Sequence, residues 1–315
     1  MPLSEIVGNE GLLANLSWVL VGKWFPCEDK MIPMHSTVKN ALNNLSDKIG
    51  SVYDADCILF HGQILPGRIP FFGELLRDIK DEKTRLLIVL QTPGGSAEAT
   101  EKMVEIIRHY YEEVYFVVPR YAMSAGTIFC MSGDKIIMDF ESSLGPIDPQ
   151  VFNGKDLVPA QGYLDQYEKL VQKSKDNTLS LGELQMLLAT DLADLSRYEQ
   201  AKNLTVTLLK KWLVQYKFKN WNTHESSSTK KGMPVTDEEK IKRAEEIAQR
   251  LGDNGHWHSH GRFIGPKTLW ENLRLKIDTY PNNDIKGTIL EYNDLAEEFM
   301  VQRNIPMFFH SKRFF

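Results

Sequence analysis

The 315-residue sequence predicts an α/β fold on a parallel sheet, and three observations carry that expectation. Leu86–Gln91 and Val114–Val118 are short, apolar almost throughout and rich in branched and aromatic side chains, the pattern of strands buried on both faces. Each run stops at a turn of small residues, Thr92-Pro93-Gly94-Gly95 and Ala122-Met123-Ser124-Ala125-Gly126. Each turn then opens a helix, Ala97–Tyr111 and Thr127–Met131. Strand, turn and helix repeated in this order set the two turns side by side on one edge of a sheet, where α/β sites form.

Taken in chain order, residues 1–50 read as a helical arm. Within it, Leu12–Phe25 is interrupted by Asn15, Ser17 and Lys23, is too short to span a bilayer, and lacks the flanks of a secretion signal. Its Trp18 and Trp24 suit a docking helix whose surface is its own domain, a partner subunit or a membrane, so membrane association stays open. Met31–Met34 carries a proline and breaks the arm. A core with a helical extension occupies 51–221: Cys57–Gln63 opens the sheet, Phe71–Lys80 is a helix, and the two strand-turn-helix units follow. Gly162–Phe218 is almost wholly helical, with Leu184, Leu187, Leu188, Leu192, Leu195, Leu204, Leu208 and Trp212 spaced to cover a sheet or line a subunit interface. Asn222–Pro234, NTHESSSTKKGMP, has linker composition and defines a segment at 222–236. The final segment, 237–315, starts with a capping box at Thr236 and Glu239 for a helix to Leu251 and continues with a helix at Pro266–Leu275. Phe308-Phe309 and Phe314-Phe315 mark a tail that docks on another surface.

The chemistry concentrates in the two turns. Gly94 and Gly95 can take backbone angles closed to other residues, so their N–H groups can point into a cavity as an oxyanion hole requires. Ser124 sits at a helix N-terminus among small neighbours, which leaves room for a substrate carbonyl and frees its own and the next N–H to stabilise a developing negative charge. Ser124 is therefore the candidate nucleophile.

These residues also carry a resemblance. Thr92-Pro93-Gly94-Gly95-Ser96, Ala122-Met123-Ser124-Ala125-Gly126-Thr127 and Ser142-Ser143-Leu144-Gly145-Pro146-Ile147-Asp148-Pro149-Gln150 resemble the serine dehydrogenase proteinase family, in the ClpP/crotonase superfamily that includes signal peptide peptidase A. The similarity extends over roughly residues 55–280 and is strongest between 86 and 150. It implies a coil of repeated ββα units with peripheral helices, a serine peptidase acting on proteins or peptides, and assembly into a homo-oligomer. It further implies Ser124 as nucleophile and the N–H groups of Gly95 and Ala125 as the oxyanion hole.

A serine hydroxyl needs a base within hydrogen-bond reach. Where the Clp protease subunit has its histidine, this chain reads Gly145-Pro146-Ile147-Asp148-Pro149, which argues against the same triad. The signal peptide peptidase branch uses a lysine further along, in the window that here holds Lys169, Lys173 and Lys175. Against the apolar stripe Tyr163, Tyr167, Leu170, Val171 and Ser174, helical phase puts Lys173 first, Lys175 next and Lys169 last. Such a base must be desolvated to be neutral near pH 7. Asp148 and Ser143 are secondary candidates, with Asp148 either orienting a base or closing a rigid turn.

Composition bounds the rest. Net charge is −5, and Lys210-Lys211 and Lys230-Lys231 are short, so no nucleic-acid partner is expected. Cys27, Cys57 and Cys130 are too scattered for a disulfide framework, which fits a reducing cytoplasm. His256, His258 and His260 would share one face of a strand, as metal ligands do, but no Cys or carboxylate stands at a matching spacing, and neither metal nor cofactor is expected. Two other function classes stay open: a crotonase-like acyl-CoA enzyme, which would need carboxylates in place of the serine, and a non-catalytic scaffold with a vestigial serine.

Overall fold

A computed structural model describes residues 33–80, 83–225 and 229–315; the Leu12–Phe25 segment lies outside them. The chain divides into two compact units, Met1–Lys39 and Asn40–Phe315. The described part of the first is the opening of helix α1, Pro33–Tyr53. Its proline stands at the first helical position, where the missing N–H breaks no helical bond.

In the second unit, β1 (Asp56–Gly62), α2 (Ile69–Ile79), β2 (Arg85–Gln91), α3 (Ala97–Tyr110), β3 (Glu113–Val117), β4 (Tyr121–Ala122), α4 (Ala125–Met131), β5 (Lys135–Ile137) and β6 (Ser143–Leu144) follow one another. β1, β2, β3 and β5 pair parallel in the order β5-β3-β2-β1. Every residue of β1 and β2 after the first is buried, as their unbroken apolar runs require. Helix α2 lays Phe72, Leu75, Leu76 and Ile79 on the core, and α3 adds Met103, Val104 and Ile107. Burial of each such side chain contributes about 2 kcal/mol. Ser96 starts α3 by accepting from the Ala99 N–H.

Beyond their C-terminal ends the strands enter a second, narrower layer. Ile64 bridges Gly95, Thr92 bridges Ala122, β4 pairs parallel with β6, and Leu144 bridges Ile264. Each repeat thus combines a long strand, a short second-layer strand and a helix, the ββα unit that the resemblance implies. The hairpin β7 (Gln150–Phe152) and β8 (Leu157–Pro159) then leads to α5 (Ala160–Lys175), α6 (Leu181–Leu188) and α7 (Leu192–Trp212). Leu208, Leu209 and Trp212 of α7 join the main core with Ala244, Ile247, Ala248 and Leu251 of α8, Asp237–Leu251. The expected capping box of Thr236 and Glu239 is present at the start of α8. The short helix α9 (Asn254–Trp257), α10 (Pro266–Leu273) and α11 (Asn283–Arg303) complete the helical shell. No helix among the described residues is long and apolar enough to cross a membrane.

Around the expected linker, Thr223 bridges Pro234, the His224 N–H donates to the Met233 carbonyl at 3.0 Å, and Glu239 pairs with both His224 and Lys230. The C-terminal phenylalanines dock on the chain's own sheet. Met307–Ser311 forms β9, antiparallel to β1, with the Phe309 ring 4.6 Å from that of Phe60 and 5.8 Å from that of Phe72.

Candidate active site

Ser124 caps α4 with φ 52° and ψ −118°, a backbone region that residues with a Cβ seldom occupy. Its neighbours fix that geometry. The Met123 N–H donates to the Thr92 carbonyl at 2.9 Å, while the Ser124 carbonyl accepts from the N–H groups of Thr127 and Ile128. Gly126 must lack a side chain, because a Cβ there would lie 2.4 Å from Thr92 Cγ2. The Ser124 side chain makes no capping bond and is half-buried, so its hydroxyl is not committed to the helix.

The glycine turn lies directly against this serine. Gly94 has φ +104°, and a Cβ on it would stand 2.8 Å from Ser124 Cβ and 3.2 Å from Ala125 N. Gly95 has φ +149°, and its Cβ would meet the Ile64 carbonyl oxygen at 2.1 Å. Ile64 donates to the Gly94 carbonyl and accepts from the Ser96 N–H, so the parallel register turns the Gly95 N–H away from Ile64. Neither the Gly95 nor the Ala125 N–H has a hydrogen-bond partner among the described residues. Two donors near one serine are what a developing oxyanion requires.

The third stretch reaches the site through Thr127. Its fully buried Oγ1 lies 2.9 Å from both the Ala122 and the Gly145 carbonyl oxygens and accepts from the Gly145 N–H at 2.9 Å. Gly145 packs so closely on Met123 that a Cβ would come within 2.6 Å of Met123 Cε. Three residues on, Asp148 is fully buried. Its Oδ1 lies 2.9 Å from His260 Nδ1, and its Oδ2 accepts from Gln150 Nε2 at 2.8 Å and Asn254 Nδ2 at 3.1 Å. A carboxylate oxygen accepts, so the contact suits a hydrogen on His260 Nδ1 and leaves Nε2 as the ring's other nitrogen. Four residues after His260, Ile264 joins the layer that carries the serine turn through backbone bridges running Ala122, Leu144, Ile264, with Leu144 and Ile264 exchanging hydrogen bonds at 3.0 and 2.8 Å.

The 256–260 segment, whose histidines would share a face in a strand, is helix α9 followed by His258 at φ 63°, so the histidines diverge. His256 turns to Arg250 and Trp257, whereas His260 turns to Asp148. Asp148, expected either to orient a base or to close a rigid turn, has His260 as a side-chain partner. Ser143 lies in β6 opposite Tyr121. Lys169, Lys173 and Lys175 are all exposed on α5, whose one buried residue is Ala160. Lys173 is ion-paired with Glu183 and, by that hydrogen bond, holds the Glu183 carboxyl down at about 2. An exposed, ion-paired Lys173 lacks the desolvation that makes a lysine a base at neutral pH, which weighs against it in that role.

Sequence reasoning missed Asn254, Gln150 and the Thr127 clasp, and it treated His260 as one of three alike. The available signal was Asp148 itself, an acid flanked by Ile147 and two prolines with no charged residue adjacent. A buried carboxylate needs donors from elsewhere in the chain.

Two uncharacterized proteins of Methanocaldococcus jannaschii are similar to this chain. MJ1495 is 33% identical over 113 residues, 35% of this chain and 37% of that protein. MJ0137 is 34% identical over 157 residues, 45% of this chain and 53% of that protein, so the similarity spans about half or less of either relative. Among solved structures, a serine-to-alanine mutant of the 1510-N membrane-bound stomatin-specific protease superposes with a TM-score of 0.42 at 14% identity, over 73% of this chain and 81% of that one. Residues 73–241, just over half of the sequence, match the profile of the ClpP-like SDH-type serine proteinases and contain both turns and Asp148. The chain belongs to that family.

Proposed function

We propose that the protein is a serine peptidase in which Ser124 is the nucleophile, His260 the general base, Asp148 the residue that orients it, and the Gly95 and Ala125 N–H groups the oxyanion hole. The observation that carries this reading is the contact of buried Asp148 with half-buried His260, on segments bridged through Leu144 and Ile264 to the strand that leads into the strained Ser124 turn. In the proposed cycle His260 Nε2 takes the hydroxyl proton as Ser124 Oγ attacks the scissile carbonyl. The two N–H groups stabilise the oxyanion, and His260 then gives its proton to the leaving amine. A water activated by the same nitrogen releases the acyl group. Asp148, held in place by its donors, favours the imidazolium in between. The substrate is a protein or peptide, and the chemistry calls for no cofactor.

A fluorophosphonate probe tests the reading. Labelling should occur at Ser124, vanish in Ser124→Ala, and fall on the order of 10³-fold in His260→Ala while Lys173→Ala labels as the parent does. Parent-like labelling of His260→Ala with loss in Lys173→Ala would restore the lysine dyad. We also propose that the protein is a homo-oligomer whose contact is formed by α5 and α6, since Leu181, Met186 and Leu188 are 74%, 66% and 77% exposed in the single chain.

A further inference from the structure

The Asp148 carboxylate has a second oxygen, and what holds it bears on how the base is aimed. Asp148 is fully buried, a setting in which an anion without donors is costly. The torsion that rotates a carboxylate about its own axis is soft, so a single bond to His260 would leave the plane of the group loosely defined. Here the remaining oxygen, Oδ2, receives two neutral carboxamides: Gln150 Nε2 at 2.8 Å and Asn254 Nδ2 at 3.1 Å, with Gln150 Nε2 also 3.4 Å from the Asp148 carbonyl oxygen. Resting on the proposed role of His260, we propose that Asn254 and Gln150 are positioning residues that fix the Asp148 carboxylate, and through it the tautomer and direction of His260.

The two do different work. Gln150 belongs to the same segment as Asp148 and sets the carboxylate plane locally. Asn254 comes from α9, six residues before His260, so it ties the base-bearing segment to the acid at a second point. The backbone reinforces that tie, with the Ile147 N–H donating to the Leu251 carbonyl at 3.0 Å. Both partners are uncharged. They stabilise the anion without supplying a positive charge that would compete with an imidazolium at His260. The ionisable side chains around α9 have other engagements: Asp253 Oδ1 accepts from the His256 N–H at 3.0 Å, and Arg250 Nη1 lies 3.2 Å from His256 Nδ1. His258 and Arg262 are exposed.

The test measures the second-order rate of fluorophosphonate labelling across pH 5–9 for the full chain and for Asn254→Leu, Asn254→Asp, Gln150→Glu and His260→Ala, with circular dichroism to verify folding. Loss of one donor in Asn254→Leu should lower the plateau on the order of 10-fold to 100-fold through misaimed base. It should also move the acid limb to higher pH, because a carboxylate with fewer donors holds the imidazolium more strongly. The near-isosteric Asn254→Asp and Gln150→Glu keep the volume and place a second carboxyl against Oδ2, so both should shift the acid limb upward even if the leucine variant does not fold. A merely structural role would lower stability and leave that limb in place. Folded Asn254→Asp and Gln150→Glu proteins with the parent's acid limb overturn the positioning role. Parent-like labelling of His260→Ala instead overturns the base on which it rests, so the two failures are distinct.

Discussion

Ser124 holds a backbone conformation that costs a residue with a Cβ ~1–3 kcal/mol. The cost is sustained because Thr92, Gly94, Met123 and Gly126 all pack or bond to fix the turn from outside. This reverses the usual ranking of small residues. Ser124→Gly should be more stable than Ser124→Ala by about 1 kcal/mol, although glycine ordinarily loses more chain entropy on folding. Urea unfolding of the two variants decides it, and a more stable alanine protein would mean that the turn is unstrained. The neighbouring glycines work by absence. A side chain at Gly95 would need space already held by the Ile64 carbonyl, and one at Gly94 would press on Ser124 Cβ. Gly95→Val should therefore fold poorly or be inactive, whereas Gly94→Ala should fold with ~1–3 kcal/mol less stability and label more slowly with the phosphonate. Parent-like stability of Gly94→Ala would separate this turn from the serine.

At the scale of elements, the second layer gathers the site, and its short strands are what the sequence least reveals. The buried strands were legible because their signal is local: Leu86–Gln91 and Val114–Val118 differ from the observed Arg85–Gln91 and Glu113–Val117 only at their ends. The same is true of Ala97–Tyr110 and of the capping box before α8. β4 and β6 have two residues each, too few for any period to show. The Asp148–His260 contact joins residues 112 apart in sequence, and the alternating histidines imitate a strand until the left-handed His258 breaks it. The proposed Ser124, Gly95 and Ala125 were legible from turn chemistry, since small residues at strand ends have few other uses. The proposed base was not, because its recognition depends on which distant segment meets a buried acid. Thr127 makes this layer testable. Replacing its hydroxyl by a methyl in Thr127→Val keeps the shape but leaves the Gly145 N–H and a carbonyl unpaired inside the core. A loss of about 1–3 kcal/mol is expected, with slower Ser124 labelling as the Gly145–Asp148 segment loosens. An unchanged urea midpoint would show that the clasp contributes nothing to the second layer.

Within the unit Asn40–Phe315, the sheet is finished on one side by β9, and among the described residues α6 presents an apolar surface. β9 covers the β1 edge, and with it Phe309 enters the core against Phe60 and Phe72, which removes an unpaired strand edge. The α5 and α6 pair is organised otherwise. Behind it lies only a small cluster of Ala160, Leu195 and Tyr198, with Val151, Leu164 and Tyr167 partly buried against it. Leu181, Met186, Leu188 and Leu192 remain between 64% and 77% exposed. Covering such side chains is worth about 1.5–3 kcal/mol each, so a handful of them is enough to drive association once the cost of bringing two chains together is met. The homo-oligomer proposed above predicts that the purified protein has a mass above 36.1 kDa by light scattering at micromolar concentration. A Leu181→Glu, Leu188→Glu double variant should shift it to a single chain, because two carboxylates brought into an apolar contact must be desolvated without partners. Since neither leucine belongs to the core, the variant's circular dichroism and urea midpoint at low concentration should match the parent's. A parent protein that is already monomeric, or a double variant that keeps the parent's mass, would remove α5 and α6 as the subunit contact.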